Sequence, residues 1–140
     1  MSALDANETA VHGGRCLCGS VRFEARGELR PVIYCHCESC RRQSGHFFAC
    51  TSVPHDRLTV HDDAGTLTWF SATPAAERGF CRTCGSVLFW KPAEGARISI
   101  EAGCFDEPSG LVASHHIFVG EKGSYYEITD GLPQFAGDDE

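Results

Sequence analysis

The stretch Tyr34-Cys35-His36-Cys37-Glu38-Ser39-Cys40-Arg41-Arg42 decides how the rest of the chain is read. Three thiols fall within the six positions Cys35 to Cys40. In an extended segment, side chains at i and i+2 share a face, so Cys35 and Cys37 point one way and His36 the other. Cys37 and Cys40 have the C-x-x-C spacing with which a tight turn brings two thiolates onto one ion. Three sulfurs then converge with no fourth donor beside them. A structural zinc site is closed by four protein ligands, whereas a catalytic one keeps a position open for water or substrate. The spacing therefore predicts an open zinc site on Cys35, Cys37 and Cys40, positioned by the rest of the chain.

Two other readings of these residues stand beside it. The site could be closed, with His36 or a distant residue as fourth ligand. Cys37-Glu38-Ser39-Cys40 is also formally a redox C-x-x-C. That motif usually opens a helix after a strand in an α/β chain, and no α/β pattern surrounds it here.

Working outward, Glu38 to Gly45 is a short helix candidate, with Gly45 suited to its C-terminal end. On the N-terminal side, Pro31-Val32-Ile33-Tyr34 reads as a strand leading into the cluster. Val21-Arg22-Phe23-Glu24-Ala25 alternates apolar and charged residues, the pattern of a half-buried strand. Beyond the helix, strands are expected at Phe47–Thr51, Leu58–His61, Thr66–Phe70, Val87–Trp90, Ile98–Ala102, His116–Val119 and Tyr125–Ile128. About ten short strands separated by Gly, Pro and Asp turns predict a mainly β fold. Residues 1–12 are polar and unpatterned and read as a flexible tail. Residues 13–135 read as a single domain, and residues 136–140 as an acidic, frayed end.

Two further motifs flank the central one. Gly13-Gly14-Arg15-Cys16-Leu17-Cys18-Gly19 is a C-x-C bounded by glycines, which let the backbone turn sharply around an ion. Phe80-Cys81-Arg82-Thr83-Cys84-Gly85-Ser86 is a C-x-x-C followed by Gly, the form of a zinc-knuckle turn. Each pair needs two more ligands, and Cys16, Cys18, Cys81 and Cys84 together make a closed, structural four-cysteine site. Cys50 and Cys104 remain, and both read as apolar core thiols, although either could supply a fourth ligand to the central cluster. His12, His55 and His61 look like loop or edge residues. His46, His115 and His116 could approach the central zinc but lack ligand spacing. Phe47, Phe48, Trp69, Phe70, Phe89 and Trp90 are expected in the core.

Composition narrows the function. The 140 residues carry a formal charge of −7, and 42% are hydrophobic. Seven thiolates on two zinc ions would make the chain more acidic still. Nucleic-acid phosphates and acidic membrane surfaces are therefore disfavoured partners. No stretch has the length of a membrane span, and Met1 to Ala10 shows no signal-peptide pattern. A cytoplasmic, reducing compartment is expected, where close-spaced cysteines serve as metal ligands rather than disulfides. Oligomeric state leaves no mark in the sequence.

These three blocks, in this order and spacing, resemble the signatures of the glutathione-dependent formaldehyde-activating enzyme family. Gly103-Cys104-Phe105-Asp106, His116-Ile117-Phe118 and Asp130-Gly131-Leu132-Pro133 resemble weaker features of it. The resemblance implies an antiparallel β-tent of the Mss4-like kind. It implies two zinc ions per chain, a structural one on the first and third blocks and a catalytic one on the central cysteines. The activity it implies is a carbon–sulfur lyase run backwards, in which glutathione adds to formaldehyde to give S-(hydroxymethyl)glutathione, or a reaction of a related thiol. One departure is Tyr125, which follows Ser124 where the family often has Trp. Arg41 and Arg42 are candidates to receive the carboxylates of glutathione. The competing class is a zinc-bearing interaction or chaperone-like module without turnover, since fold does not fix function.

Overall fold

The computed structural model describes residues 9–138. Most of the expected flexible tail, residues 1–8, and the last two residues of the acidic end lie outside that range. Val11 and His12 already belong to the first strand. The described chain is mainly β with one short helix, as the turn-punctuated sequence predicts. It groups into two compact units, and one of the points at which the chain passes from one to the other falls within a strand, β4 (Phe48–Pro54).

The first unit holds residues up to Arg30 and Thr51–Gly110. In it β1 (Val11–Arg15) pairs antiparallel with β2 (Arg22–Arg26), which pairs with β5 (Leu58–His61). An antiparallel meander follows: β6 (Leu67–Thr73), β7 (Ala76–Cys81), β8 (Val87–Pro92) and β9 (Arg97–Glu101). The alternation in β2 works as expected, with Phe23 and Ala25 buried and Arg22, Glu24 and Arg26 exposed. Phe23 meets Phe89 of β8 edge-on at 5.7 Å and Phe105 at 5.1 Å. This aromatic contact joins the two sets of strands, and its burial contributes roughly 1.5–3 kcal/mol. Gly14 is fixed by the same packing. A Cβ there would overlap the Phe23 ring and lie 2.5 Å from the Cys104 carbonyl oxygen.

β7 was not expected as a strand, because Ala76-Glu77-Arg78-Gly79-Phe80-Cys81 has no clean alternation. It lies between β6 and β8, and its Arg78 and Gly79 are buried. Phe70, expected in the core, is 54% exposed on β6.

The second unit comprises Pro31–Cys50 and the chain from Leu111 on. β3 (Val32–Cys35) pairs antiparallel with the start of β4 and parallel with β10 (Ala113–Ile117). The helix α1 (Glu38–Ser44) follows β3 and ends at Gly45, which takes the left-handed conformation at φ 85°. After β10 the chain returns along its edge, where the His116 amide donates to the Pro133 carbonyl and the Phe135 amide donates to the His116 carbonyl, a parallel bridge opposite Gln134. Tyr125–Ile128 is irregular rather than a strand, and His116–Val119 splits between β10 and a 3-10 turn at Val119–Glu121. The tyrosines of that irregular segment are spent on side-chain contacts with histidines, described below.

Candidate metal centres

Within the first unit, Cys16 and Cys18 follow β1, while Cys81 ends β7 and Cys84 lies in the next turn. Each pair is wrapped by a matching turn. The Gly19 amide donates to the Cys16 carbonyl and the Gly85 amide to that of Cys81. Both glycines adopt φ 82°, a left-handed conformation that a side chain would strain. The four sulfurs lie within 4.8 Å of one another, so this set could hold a metal ion. Hydroxyls surround it. Ser20 Oγ lies 3.2 Å from Cys18 Sγ and 3.3 Å from Cys81 Sγ, and Ser86 Oγ lies 3.2 Å from Cys84 Sγ. Hydrogen bonds to a thiolate favour it over the thiol. The Ser20 hydroxyl, above all, holds the Cys81 pKa down to about 5, and Ser86 holds that of Cys84 to about 7. Ser86 also accepts from the Leu17 amide at 2.9 Å, tying one turn to the other.

Within the second unit, Cys35 ends β3, Cys37 is the N-cap of α1 and Cys40 lies in its first turn. Cys37 Sγ accepts the Cys40 amide at 3.4 Å, and Cys35 Sγ lies 3.3 Å from Cys40 Sγ. The three sulfurs lie within 4.8 Å of one another, and no fourth Cys, His, Asp or Glu among the described residues joins them. Cys104 stays out of both sets: its thiol faces the Val87 carbonyl at 3.5 Å, and burial pushes its pKa up to about 12. In the central set two of the thiols are shifted upward by their neighbours, although Cys40 acts the other way on Cys35. Cys37 is the main cause that raises Cys35 to about 11, and Cys35 is the main cause of the upward shift at Cys40. Three thiols converging this closely fit the donor set of a metal ion.

The two arginines after the cluster have different surroundings. Arg42 pairs with Glu38 at 2.8 Å on the exposed side of the helix. Arg41 Nε is buried and lacks a hydrogen-bond partner.

His36 does not join the sulfurs. Its ring is fully buried, with Nδ1 2.5 Å from the Tyr126 hydroxyl and Nε2 2.8 Å from His116 Nδ1. His116 Nε2 in turn lies 2.8 Å from Asp130 Oδ2. Burial first, then the neighbouring His116, lowers the His36 pKa to about 4, which leaves the ring neutral. Of the other histidines considered near the central site, His46 bonds the Tyr125 hydroxyl at 2.6 Å and His115 Nδ1 lies 2.7 Å from Ser114 Oγ. Sequence reasoning placed His36 on the face away from the thiols but missed its partners. They lie 80 and 90 positions away, and no local pattern links them.

A sequence model described as glutathione-dependent formaldehyde-activating enzyme matches residues 11–121. The chain belongs to that family. It is 27% identical over 130 residues to an uncharacterized lyase of Schizosaccharomyces pombe, covering 90% of this chain and 91% of that protein. It is 29% identical over 125 residues to an Aspergillus flavus protein named as a candidate glutathione-dependent formaldehyde-activating enzyme. That match covers 87% of this chain but 57% of the longer relative. A crystal structure of a Rhodobacter sphaeroides protein shares the fold, with a TM-score of 0.57 and 27% identity. The match covers 72% of this chain and 97% of that one. All seven cysteines of the two sets fall inside the family match. No helix among the described residues is long and apolar enough to cross a membrane.

Proposed function

We propose that the chain is a zinc-dependent carbon–sulfur lyase that joins the thiol of glutathione, or of a related compound, to formaldehyde. The observation that carries this reading is the contrast between the two sets: four thiols in one, three in the other. Four sulfurs close a tetrahedral ion and serve structure, whereas three leave a position for an incoming sulfur. Zinc on Cys35, Cys37 and Cys40 would supply positive charge that favours the ionised form of a thiol at neutral pH.

In the reaction a carbon–sulfur bond forms, the carbonyl π pair moves to oxygen, and the thiol proton ends on that oxygen. The chain's own residues bind and orient. Cys37 caps the helix, so its sulfur is fixed in place by the Cys40 amide. Arg41 is the better of the two candidate receivers for a substrate carboxylate, because its buried Nε has a bond to give while Arg42 is engaged with Glu38. An acidic chain needs such a local cation to hold an anionic thiol.

A non-catalytic zinc module would instead be expected to close its central set with a fourth protein ligand. The test compares wild type with Cys37→Ser in formaldehyde plus glutathione, following S-(hydroxymethyl)glutathione against the uncatalysed rate. Wild type should exceed that rate between about pH 6 and 8, and Cys37→Ser should fall to it while remaining folded. A variant as fast as wild type, or a wild type no faster than buffer, would sink the reading.

A further inference from the structure

A chain of polar side chains centred on the buried His36 and His116 adjoins the three-cysteine set and has no part in the proposed reaction. It runs Tyr126–His36–His116–Asp130 through contacts of 2.5, 2.8 and 2.8 Å. We propose that Tyr126, His116 and Asp130 are positioning residues that act through the His36 ring to hold Cys35 and Cys37 in ligand geometry. The inference rests on the reading of Cys35, Cys37 and Cys40 as a metal site.

His36 occupies the single position between two donors. Its side chain therefore governs the backbone that aims both sulfurs. The ring is held at each nitrogen and on its face, where Phe47 lies 4.7 Å away between ring centres. Its amide donates to the Ile117 carbonyl at 3.0 Å. His116 is held likewise, by the Asp130 carboxylate at one end and the Tyr34 ring at 4.9 Å.

The Asp130 carboxylate accepts from His116 Nε2–H, and each of the other two contacts, His116 Nδ1 with His36 Nε2 and His36 Nδ1 with the Tyr126 hydroxyl, pairs one donor with one acceptor. Asp130 is itself fixed, since its other oxygen accepts the Leu132 amide at 3.0 Å. At the far end, Lys122 lies 4.6 Å over the Tyr126 ring and also donates to the Tyr126 carbonyl. Every polar group in the chain has a partner, so loss of one end leaves a buried group unsatisfied and frees the His36 ring.

Groups that orient the donors of a metal site without touching the ion typically set its affinity within a factor of about 10–100. The test uses full-length protein titrated with Co2+ against a chromophoric chelator. The two sets are separated by their thiolate absorption, using Cys37→Ser as the reference spectrum of the four-cysteine set alone. The variants are Tyr126→Phe, Asp130→Ala and the double variant. Each single variant should weaken Co2+ at the three-cysteine set about 10–100-fold and leave the four-cysteine set unchanged. The double variant should lose less than the product of the two singles, because the residues act as one unit.

Unchanged affinity in both singles overturns the proposal. So do losses that multiply, and so does equal weakening of both sets, which would mark a general loss of structure. Failure of the underlying reading shows separately, before any of these variants is made, as a wild type that takes up one Co2+ per chain instead of two. An absent formaldehyde reaction alongside the expected affinities leaves the positioning role standing.

Discussion

The two arginines that follow the central cluster are neighbours in sequence but differ in what they can bind. The Arg42–Glu38 pair is exposed on both sides, where solvent screening leaves an i, i+4 pair of that kind worth little. Losing Arg42 should therefore change little. Arg41 presents a buried donor without a partner, and a hydrogen bond from a charged group is worth about 1.5–3 kcal/mol. Arg41→Ala should weaken glutathione binding about 10–100-fold, whereas Arg42→Ala should stay within about threefold. Calorimetric titration of both variants checks this, and equal effects would remove Arg41 as the carboxylate receiver. The sequence showed both arginines but not the difference between them, which arises from the Glu38 side chain one turn earlier. The thiol sets were legible for the opposite reason: their ligands are paired by turns of two to four residues. The partners of His36 were not, because they come from positions 80 and 90 residues further along the chain.

Among the elements, β2 was read correctly because one face is buried and the other wet, so its residues alternate. β7 was missed because it lies inside a meander, with Arg78 and Gly79 both buried and no alternation to read. The segment Tyr125–Ile128 has strand-like composition, yet Tyr125 and Tyr126 turn their hydroxyls to His46 and His36 instead of entering a ladder. At β1 the deciding feature is a residue without a side chain. Gly14 lies against the Phe23 ring and the Cys104 carbonyl, where no Cβ fits. Gly14→Ala must displace the aromatic contact that joins the two sets of strands in its unit. Overpacking of this kind costs about 1–3 kcal/mol. Urea denaturation should show a lower midpoint at an unchanged slope. An unchanged midpoint would mean that Phe23 yields freely and is not the fixed centre of that core.

For the molecule as a whole, turn spacing was enough to predict a mainly β fold, but not the division into two units. The two units alternate along the chain, each assembled from two separate stretches, and nothing in composition marks the crossing within β4. The division has a consequence for metal removal. All four cysteines of one set lie in the first unit, and all three of the other lie in the second. A three-ligand ion should leave before a four-ligand one, and a metal that joins distant turns contributes folding energy directly. A mild chelator should therefore loosen the second unit first. Hydrogen exchange should rise in residues 31–50 and 111–138 while residues 9–30 and 51–110 keep their protection. Stronger chelation, or Cys16→Ala, should remove protection from the first unit as well. Its Phe23 contacts cannot replace the link between the turn at Cys16 and the one at Cys81. Loss of protection in the first unit at the mild step, or a fully protected Cys16→Ala protein, would contradict the assignment of the four-cysteine set as the structural one.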